Sequence, residues 1–237
     1  QVPQNLSFYK RFTQALSVTK SVPEDAEPGT NVTVVQATDK DSGFNKEIRY
    51  SLRGGEGKFS IDPVSGIVSV AGALDRETEA QYNLHVVAED QGRPARSATA
   101  TLLVHVSDIN DNAPKFTESG YQIEVLETEV AGASLLTLLA VDPDEGANGR
   151  VRYSIFHQSP SSDPDAFQLE ASSGILQLAQ LLDYTLDRET EAQYNLQVVA
   201  EDQGCPARSA TATLLVHVVV FCLCVFRLWQ WIMSLMV

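Results

Sequence analysis

Cysteine is almost missing from this chain of 237 residues, and the first 204 residues have none. Cys205, Cys222 and Cys224 all lie in the last 33 residues, so disulfide bonds cannot hold the body of the chain together. Basic residues are also scarce, because 17 Lys and Arg stand against 31 Asp and Glu, a net charge of −14. We therefore expect no nucleic-acid partner, since that binding needs clustered positive charge, and the acidity suits cation binding instead.

Two further absences narrow the function. No stretch repeats its apolar residues with the 3.6-residue period of an amphipathic helix. The chain also lacks the GxSxG, HExxH, Walker and Rossmann patterns that mark common catalytic and cofactor sites. We therefore expect an all-β protein that is not an enzyme.

Short apolar stretches with a period of two are what the sequence has instead. Ala98, Ala100 and Leu102 alternate with polar residues, as expected for a strand with one buried face. Gly- and Pro-rich turns separate about seven such strands in ~100 residues, a pattern typical of an antiparallel Greek-key sandwich. The other predicted strands include Val32–Ala37, Ile48–Leu52, Phe59–Ile61, Ile67–Val70 and Leu84–Ala88.

An internal repeat sets the domain organisation. Leu74–Val106 and Leu186–Val218 are identical except at His85/Gln197 and Arg93/Cys205, with an offset of 112. The preceding halves correspond at an offset of 103, from Glu24 and Glu127 onwards, so 112 − 103 = 9 extra residues enter the second copy. The chain is therefore predicted to hold two tandem domains of the same fold.

The second copy is irregular near residues 183–187. Two candidate equivalents of the LDRE motif stand in tandem there, so either Asp183 or Asp187 could take its role. The other inserted residues fall around the QSPSSDPDAF segment, which is predicted to be a longer loop. A recombination junction near Tyr184–Thr185 and a recent duplication both explain the tandem motifs.

The carboxylates gather in motifs. DINDNAP at residues 108–114 alternates acid and amide groups between the two copies. Ca²⁺ takes about six to eight oxygen ligands from carboxylates, amides and carbonyls, which is what such a segment offers. Because closely spaced like charges repel each other, the motifs predict a cation site.

DINDNAP, LDRE, the Asp-x-Asp followed by Asn, and the AEDQGRP turn together resemble tandem cadherin repeats over about residues 15–218. The likeness is to the large Dachsous, Fat and protocadherin types. It implies two tandem seven-stranded Greek-key, immunoglobulin-like sandwiches joined by a calcium-binding linker. The expected parts are an N-terminal remnant (1–14), repeat 1 (15–107), the linker (108–114), repeat 2 (115–218) and a hydrophobic tail (219–237).

The resemblance also implies about three Ca²⁺ ions at the junction of the repeats. Three of the ligands, Ile109, Asn112 and Asn148, would bind through their backbone carbonyls. The implied ligands are Glu24, Asp75 and Glu77 from repeat 1, Asp108, Ile109, Asn110, Asp111 and Asn112 from the linker, and Asp142, Asp144, Asn148 and Asp202 from repeat 2.

Incomplete half-sites and glycosylation sites complete the expected set. The half-sites would face neighbouring repeats whose linker motifs this sequence does not contain. The sequons would accept glycans only in a secretory compartment. The half-site residues are Asp39, Asp41, Asn45, Asp90, Glu127, Asp187 and Glu189, and the glycosylation sites are Asn5 and Asn31.

The expected function is calcium-dependent cell adhesion, in which calcium stiffens the junction between repeats. The partners would be cadherin ectodomains on the same or an opposing cell, contacted homophilically or heterophilically, and no catenin-binding region is expected. The apolar stretch Leu214–Val237, with Arg227 near its middle, is either a membrane span or an atypical end. The chain would accordingly lie on the extracellular side of the cell membrane or be secreted, and a truncated decoy product is the alternative.

Overall fold

The computed structural model of the chain describes residues 6–8, 17–39, 46–159, 166–182 and 193–219. Almost all regular structure in these residues is β-strand, and the exception is a short 3-10 helix at Gly55–Gly57. The chain divides into two compact units, residues 1–109 and 110–237. The expected all-β class with two tandem domains is therefore confirmed.

The first unit is a sandwich of two four-stranded sheets, ordered β2–β8–β7–β4 and β1–β3–β6–β5. β2 runs parallel to β8 and β1 runs parallel to β3, whereas the other neighbours are antiparallel. The strands are β1 (Leu6–Phe8), β2 (Ser17–Pro23), β3 (Asn31–Ala37), β4 (Ile48–Arg53), β5 (Phe59–Ile61), β6 (Ile67–Val70), β7 (Gln81–Asp90) and β8 (Ser97–Ser107).

The second unit repeats this architecture, with sheets ordered β10–β17–β16–β13 and β11–β15–β14 and a separate β9–β12 pair. β10 runs parallel to β17, as β2 does to β8 in the first unit. The strands are β9 (Lys115–Phe116), β10 (Gly120–Leu126), β11 (Ser134–Thr137), β12 (Ala140–Val141), β13 (Arg152–Ser159), β14 (Phe167–Leu169), β15 (Ile175–Leu178), β16 (Gln193–Glu201) and β17 (Ser209–Val219).

The predicted alternation of apolar and polar residues determines which side chains form the hydrophobic core of each unit. In β8, Leu102 and Val104 are buried against residues of the opposite sheet, such as Val68, whereas Thr99 and His105 face the solvent. The second unit buries Leu214 and Val216 of β17 in the same way. Burying one face of each sheet is what makes a half-apolar strand stable.

The repeated segment pairs identically in both units. Gln81 lies opposite His105 in the β7–β8 ladder, and Gln193 lies opposite His217 in the β16–β17 ladder. The inserted residues are accommodated elsewhere, because β13 is longer than β4 and has a register shift between Ile155 and His157. The predicted loop at QSPSSDPDAF therefore starts later than expected, since Gln158 and Ser159 still belong to β13.

The apolar stretch for which a membrane span and an atypical end were both considered starts within a strand. Leu214–Val219 form the last part of β17 and pair with β10. Within the part of the chain that the structure describes, no helix is long and apolar enough to cross a bilayer. Residues 220–237, the tandem motifs at 183–192, and the predicted site residues Asn5, Asp41, Asn45, Asp187 and Glu189 lie outside the described residues.

Candidate metal centre

Glu24 anchors a cluster of charged residues at the end of β8 in the first unit. It follows β2 directly, and its backbone N–H donates to the carbonyl of Ser107 at 3.1 Å. Its carboxylate accepts hydrogen bonds from the backbone N–H of Arg76 at 2.9 Å and of Ile109 at 2.7 Å. Glu24 is only 6% exposed, and these two amides hold its charge in place.

Two further carboxylates complete the first-unit cluster, which we define as Glu24, Arg76, Glu77 and Asp108. Carboxylate oxygens of Glu24, Glu77 and Asp108 lie within 4.8 Å of one another. Each such pair of charges repels by about 3 kcal/mol at an effective dielectric constant near 20. The Arg76 guanidinium offsets part of this repulsion, because Nε donates to Asp108 Oδ1 at 2.5 Å and Nη2 donates to Glu77 Oε1.

Asp75, the first residue of the DRE motif, faces its own turn. Its Oδ1 accepts from the backbone N–H of Thr78 at 3.0 Å, and its Oδ2 accepts from the Thr78 hydroxyl at 2.8 Å. These bonds, chiefly the one from the hydroxyl, lower the pKa of the Asp75 carboxyl. Asp75 is therefore ionised and fixed in place, but it is not one of the three acids gathered around Arg76.

Among the described acids of the second unit, Asp202 is the most enclosed, with 3% of its surface exposed. Its Oδ1 accepts from the backbone N–H of Gly204 and its Oδ2 from that of Arg208, both at 2.8 Å. Gly204 ends the AEDQG motif and Arg208 follows four residues later, so both donors lie in the turn between β16 and β17. Backbone N–H groups of this turn thus bind the carboxylate of Asp202, a residue of the same turn.

Asn110 closes this loop from the linker. Its Nδ2 lies 3.2 Å from each carboxylate oxygen of Asp202 and 2.6 Å from the carbonyl of Pro206. Its backbone carbonyl accepts from Arg208 Nε at 2.8 Å. Because the amide nitrogen faces these acceptors, Oδ1 points the other way, and this buried oxygen contacts no hydrogen-bond donor among the described residues.

Asp144 is the second buried acid, at 7% exposure. Asn112 of the linker donates to it twice, from its side-chain amide at 2.7 Å and from its backbone N–H at 3.2 Å. The same amide group donates to Asp111 Oδ1 at 2.7 Å. Asp142 lies beside Asp144 and accepts the Asp144 backbone N–H at 3.0 Å. We define the second-unit cluster as Asn110, Asp111, Asn112, Asp142, Asp144, Asn148 and Asp202.

Gly204 allows Asn110 and Asn148 to approach the Asp202 turn. A side-chain carbon at position 204 would lie 2.4 Å from Asn110 Nδ2 and 2.6 Å from Asn148 Oδ1. Only glycine fits such a contact without moving these side chains. Of the predicted linker ligands, Asn110, Asp111 and Asn112 thus lie with the second-repeat ligands within the second unit, whereas Asp108 and Ile109 contact residues of the first unit.

The predicted half-sites and glycosylation site are placed as follows. Asp90 closes a turn like that of Asp202, and Glu127 follows β10 as Glu24 follows β2. Asp39 lies just after β3. Asn31 is exposed at the start of β3, where its Oδ1 accepts the Ser69 hydroxyl at 3.0 Å.

Four residues that belong to the clusters or contact them were not predicted as site residues: Arg76 in the first-unit cluster, and Gly204, Pro206 and Arg208 beside the second. The sequence could have indicated Arg208, because both copies of the repeated segment have an arginine at this position. Its equivalent in the first copy, Arg96, donates the matching backbone hydrogen bond to Asp90. Arg76 was visible only as the middle of a DRE motif. Its contacts with Asp108 join residues 32 positions apart, which a local pattern does not reveal.

The residues of both clusters fit a hard divalent cation. Every group that faces the clusters as a candidate ligand is an oxygen, which is the donor type that Ca²⁺ prefers. The Asn110 Oδ1 atom is an unsatisfied buried acceptor, and such an atom costs free energy until a donor or cation reaches it. No thiol or imidazole belongs to either cluster, which argues against zinc.

Comparison with known families decides the classification. The sequence model of the cadherin domain matches residues 19–107 and 121–219. The chain belongs to the cadherin family. Cadherin domains are generally calcium-binding modules of adhesion ectodomains rather than enzymes, so the expected absence of catalysis follows from the family.

Individual relatives of this cadherin chain are much longer. Protocadherin Fat 4 of Mus musculus is 42% identical over 196 residues, which cover 81% of this chain and 4% of that protein. Protocadherin-like wing polarity protein stan of Drosophila melanogaster is 40% identical over 215 residues, covering 89% and 6%. The chain thus spans a small part of the curated relatives that it matches.

Solved cadherin structures share the fold. The crystal structure of mouse Cadherin-23 EC22-24 has a TM-score of 0.77 and 37% identity, over 87% of this chain and 63% of that one. The cis-dimer structure of Protocadherin gammaB7 EC3-6 has a TM-score of 0.72 and 32% identity, over 86% and 51%. The expected likeness to protocadherin-type cadherins is confirmed.

Proposed function

We propose that this cadherin chain binds Ca²⁺ through its two clusters and acts as a calcium-dependent adhesion module. The observation that carries the proposal is the Asn110 Oδ1 atom, a buried acceptor with no donor among the described residues. It belongs to a residue whose amide nitrogen already contacts the Asp202 carboxylate. A cation on the side of Asn110 that faces away from Asp202 would satisfy this oxygen and offset the negative charge of the cluster, whereas a water molecule would satisfy the oxygen and leave the charge in place.

Charge within each cluster supports the same conclusion. The first-unit cluster has three carboxylates and one guanidinium, a net charge of −2. The second-unit cluster has four carboxylates, Asp111, Asp142, Asp144 and Asp202, a net charge of −4. Divalent cations would remove this excess, and about three of them would bring the whole chain from −14 to about −8.

Bound calcium would supply fixed positive charge that holds the carboxylates of a cluster together. Asp108 of the first-unit cluster and Asn110 of the second-unit cluster are separated in the sequence by Ile109 alone. Ions that take ligands from both clusters would limit hinge motion between the domains, which a short linker otherwise permits. The ligand set, the domain bounds with the linker at 108–114, and the glycosylation of Asn31 stay predictions of the same proposal.

Other cadherin ectodomains, on the same or an opposing cell, are the proposed partners. The solved cis-dimer of Protocadherin gammaB7 EC3-6 supports contact between copies on one cell. Homophilic and heterophilic contact both fit the family. The proposed location is the extracellular side of the cell membrane, and the described residues offer no feature that favours a decoy product.

Calcium titration of the full chain by calorimetry tests the proposal. We expect about three ions to bind and, at a concentration a hundred times the dissociation constant, each site to stabilise the chain by about 2.7 kcal/mol. Chelation should lower the melting temperature and broaden the distribution of sizes seen by small-angle scattering. Unchanged melting and scattering after chelation would contradict the proposal.

A matched pair of variants locates the site. Asp111→Asn should weaken calcium binding at least tenfold, because Asp111 is the linker carboxylate expected to bridge ions. Glu118→Gln removes the same charge from an exposed residue between β9 and β10 and should leave the affinity nearly unchanged. Equal losses in both variants would mean that calcium responds to net charge and not to a built site.

A further inference from the structure

Arg76 is the only cation in the first-unit cluster, and it contacts all three of the acids there. Its guanidinium donates from Nε to Asp108 Oδ1 at 2.5 Å and from Nη2 to Glu77 Oε1. Its backbone N–H donates to Glu24 Oε2 at 2.9 Å. The Arg76 side chain is only 13% exposed, so these contacts are not those of a solvated surface pair.

The guanidinium lies where positive charge is most needed. Oxygens of Glu24, Glu77 and Asp108 approach one another within 4.8 Å, and without a cation their repulsion would separate them. The forked guanidinium suits this position because its N–H groups can reach two carboxylates at once. Arg76 therefore keeps the three acids together in the absence of a metal ion.

A divalent ion would seek the same carboxylates. An ion bound to Asp108 and Glu77 would come within a few ångströms of the Arg76 guanidinium, and the two positive charges would repel each other. The Arg76 side chain is long and flexible, so it can withdraw from the cluster into solvent. The same residue would then stabilise the metal-free cluster and oppose metal binding.

We infer that Arg76 is a tethered counter-ion that calcium must displace from Asp108 and Glu77. This inference rests on the calcium binding proposed above. It makes Arg76 a positioning residue that holds the ligands in the metal-free protein and sets how much calcium is needed to replace it. The first unit would thus exchange an internal cation for an external one.

The test compares Arg76→Gln with Arg53→Gln in the full chain. Both variants lose one positive charge, but Arg53 is an exposed residue of β4 outside the cluster. In chelator, Arg76→Gln should melt at a lower temperature than Arg53→Gln. In calorimetric titration it should bind its tightest calcium ion about 10-fold more strongly than Arg53→Gln does. Arg76→Lys, which keeps the charge without the fork, should fall between the two in both measurements.

The outcomes separate the inference from the proposed function. Lower stability in chelator together with tighter calcium binding supports the counter-ion role. If Arg76→Gln binds calcium equally or more weakly than Arg53→Gln, while the wild-type chain binds normally, the inference is wrong and the proposed function stands. If the wild-type chain itself shows no calcium binding, both are overturned.

Discussion

The AEDQG turn occurs once in each unit, and comparing the two turns shows what converts a turn into a site. In the first unit, Asp90 Oδ1 accepts the backbone N–H of Gly92 at 3.0 Å and of Arg96 at 2.9 Å. In the second, Asp202 accepts the matching N–H groups of Gly204 and Arg208. The local geometry is shared, yet Asp202 also receives the side-chain amide of Asn110.

The difference lies in what precedes each unit. Asn110, Asp111 and Asn112 stand 17, 16 and 15 residues before Glu127, whereas the residues at the same distances from Glu24 are Ser7, Phe8 and Tyr9. These three offer neither a carboxylate nor a side-chain amide. The same turn therefore acquires further oxygen ligands only where an acid- and amide-rich linker enters the unit.

Replacing the two aspartates separately should have the largest effect and would test this comparison most directly. Asp202→Ala leaves the N–H groups of Gly204 and Arg208 and the Asn110 amide without their acceptor, which should cost about 3 kcal/mol of unfolding free energy. Asp90→Ala removes the acceptor of the Gly92 and Arg96 N–H groups and should cost about 2 kcal/mol. Urea unfolding of both variants in chelator measures the difference.

The two variants should differ further in their affinity for calcium. Asp202→Ala is expected to lose calcium affinity by about 100-fold, whereas Asp90→Ala should change it less than about twofold, because Asp90 lacks a linker of this type. Similar calcium affinities in the two variants would remove the distinction between a turn and a site.

Asn110→Ala should have the second-largest effect. The change removes the buried Oδ1 acceptor and the amide that contacts Asp202, so calcium affinity should fall by about tenfold. Asn83→Ala, at an exposed position of β7, is the control and should bind as the wild type does. Calorimetric titration measures both, and an unchanged affinity for Asn110→Ala would contradict the role given to its oxygen.

A smaller effect is expected at two tyrosines that the units share. The backbone N–H of Ala37 donates to the Tyr50 hydroxyl, and that of Ala140 donates to the Tyr153 hydroxyl, both at 2.8 Å. Tyr50→Phe should lower the unfolding free energy by about 1 kcal/mol. Tyr153→Phe should cost slightly more, because its bond is fully buried and its hydroxyl also lies 3.4 Å from the Ala140 carbonyl. Equal or reversed losses in chemical denaturation would show that this burial does not matter.

The smallest effect on stability is expected at Asp62, in a turn of the first unit, and this effect should depend on pH. Hydrogen bonds from the backbone and hydroxyl of Ser65 and the backbone of Val64 lower the pKa of Asp62 from its ordinary value of 3.8. The folded state therefore holds this proton less readily than the unfolded state, so the stabilisation exists above pH 3.8 and is lost as the pH falls through the folded pKa.

Asp62→Asn should accordingly melt slightly below the wild type at pH 7, and the gap should close in acid. Thermal melts of both proteins between neutral pH and pH 3 measure it. A gap that stays constant over this range would mean that the ionised carboxylate contributes nothing to the turn.

The strands were predictable because the alternation of buried and exposed side chains in a strand involves only consecutive residues. Ile67–Val70 and Phe59–Ile61 have the bounds expected from their β-rich composition, and β8 begins one residue before the predicted alternation at Ala98. The end of β17 was left open, since the apolar residues Leu214–Val219 suit a strand and a membrane helix equally well. Pairing with β10 decided between them.

The candidate site was predictable as a set of residues but not as an arrangement. The resemblance to cadherin repeats placed Glu24, Asp108 and Asp202 in one ligand set. It could not show that Asp75 bonds to Thr78, or that Arg76 reaches Asp108 and Glu77. Those contacts depend on side-chain directions, which are fixed only when the strands have paired.

The sequence by itself determined the all-β class, the repetition of one domain and the acid- and amide-rich linker between the copies, because each is a property of neighbouring or periodically spaced residues. Tertiary structure alone decided which distant amide groups, of the backbone or of side chains, meet which acids. The bond from Ile109 to Glu24 joins residues 85 positions apart, and that from Asn110 to Asp202 joins residues 92 apart. Contacts at such separations form only when packing of the two sheets brings distant turns together, which local sequence patterns do not encode.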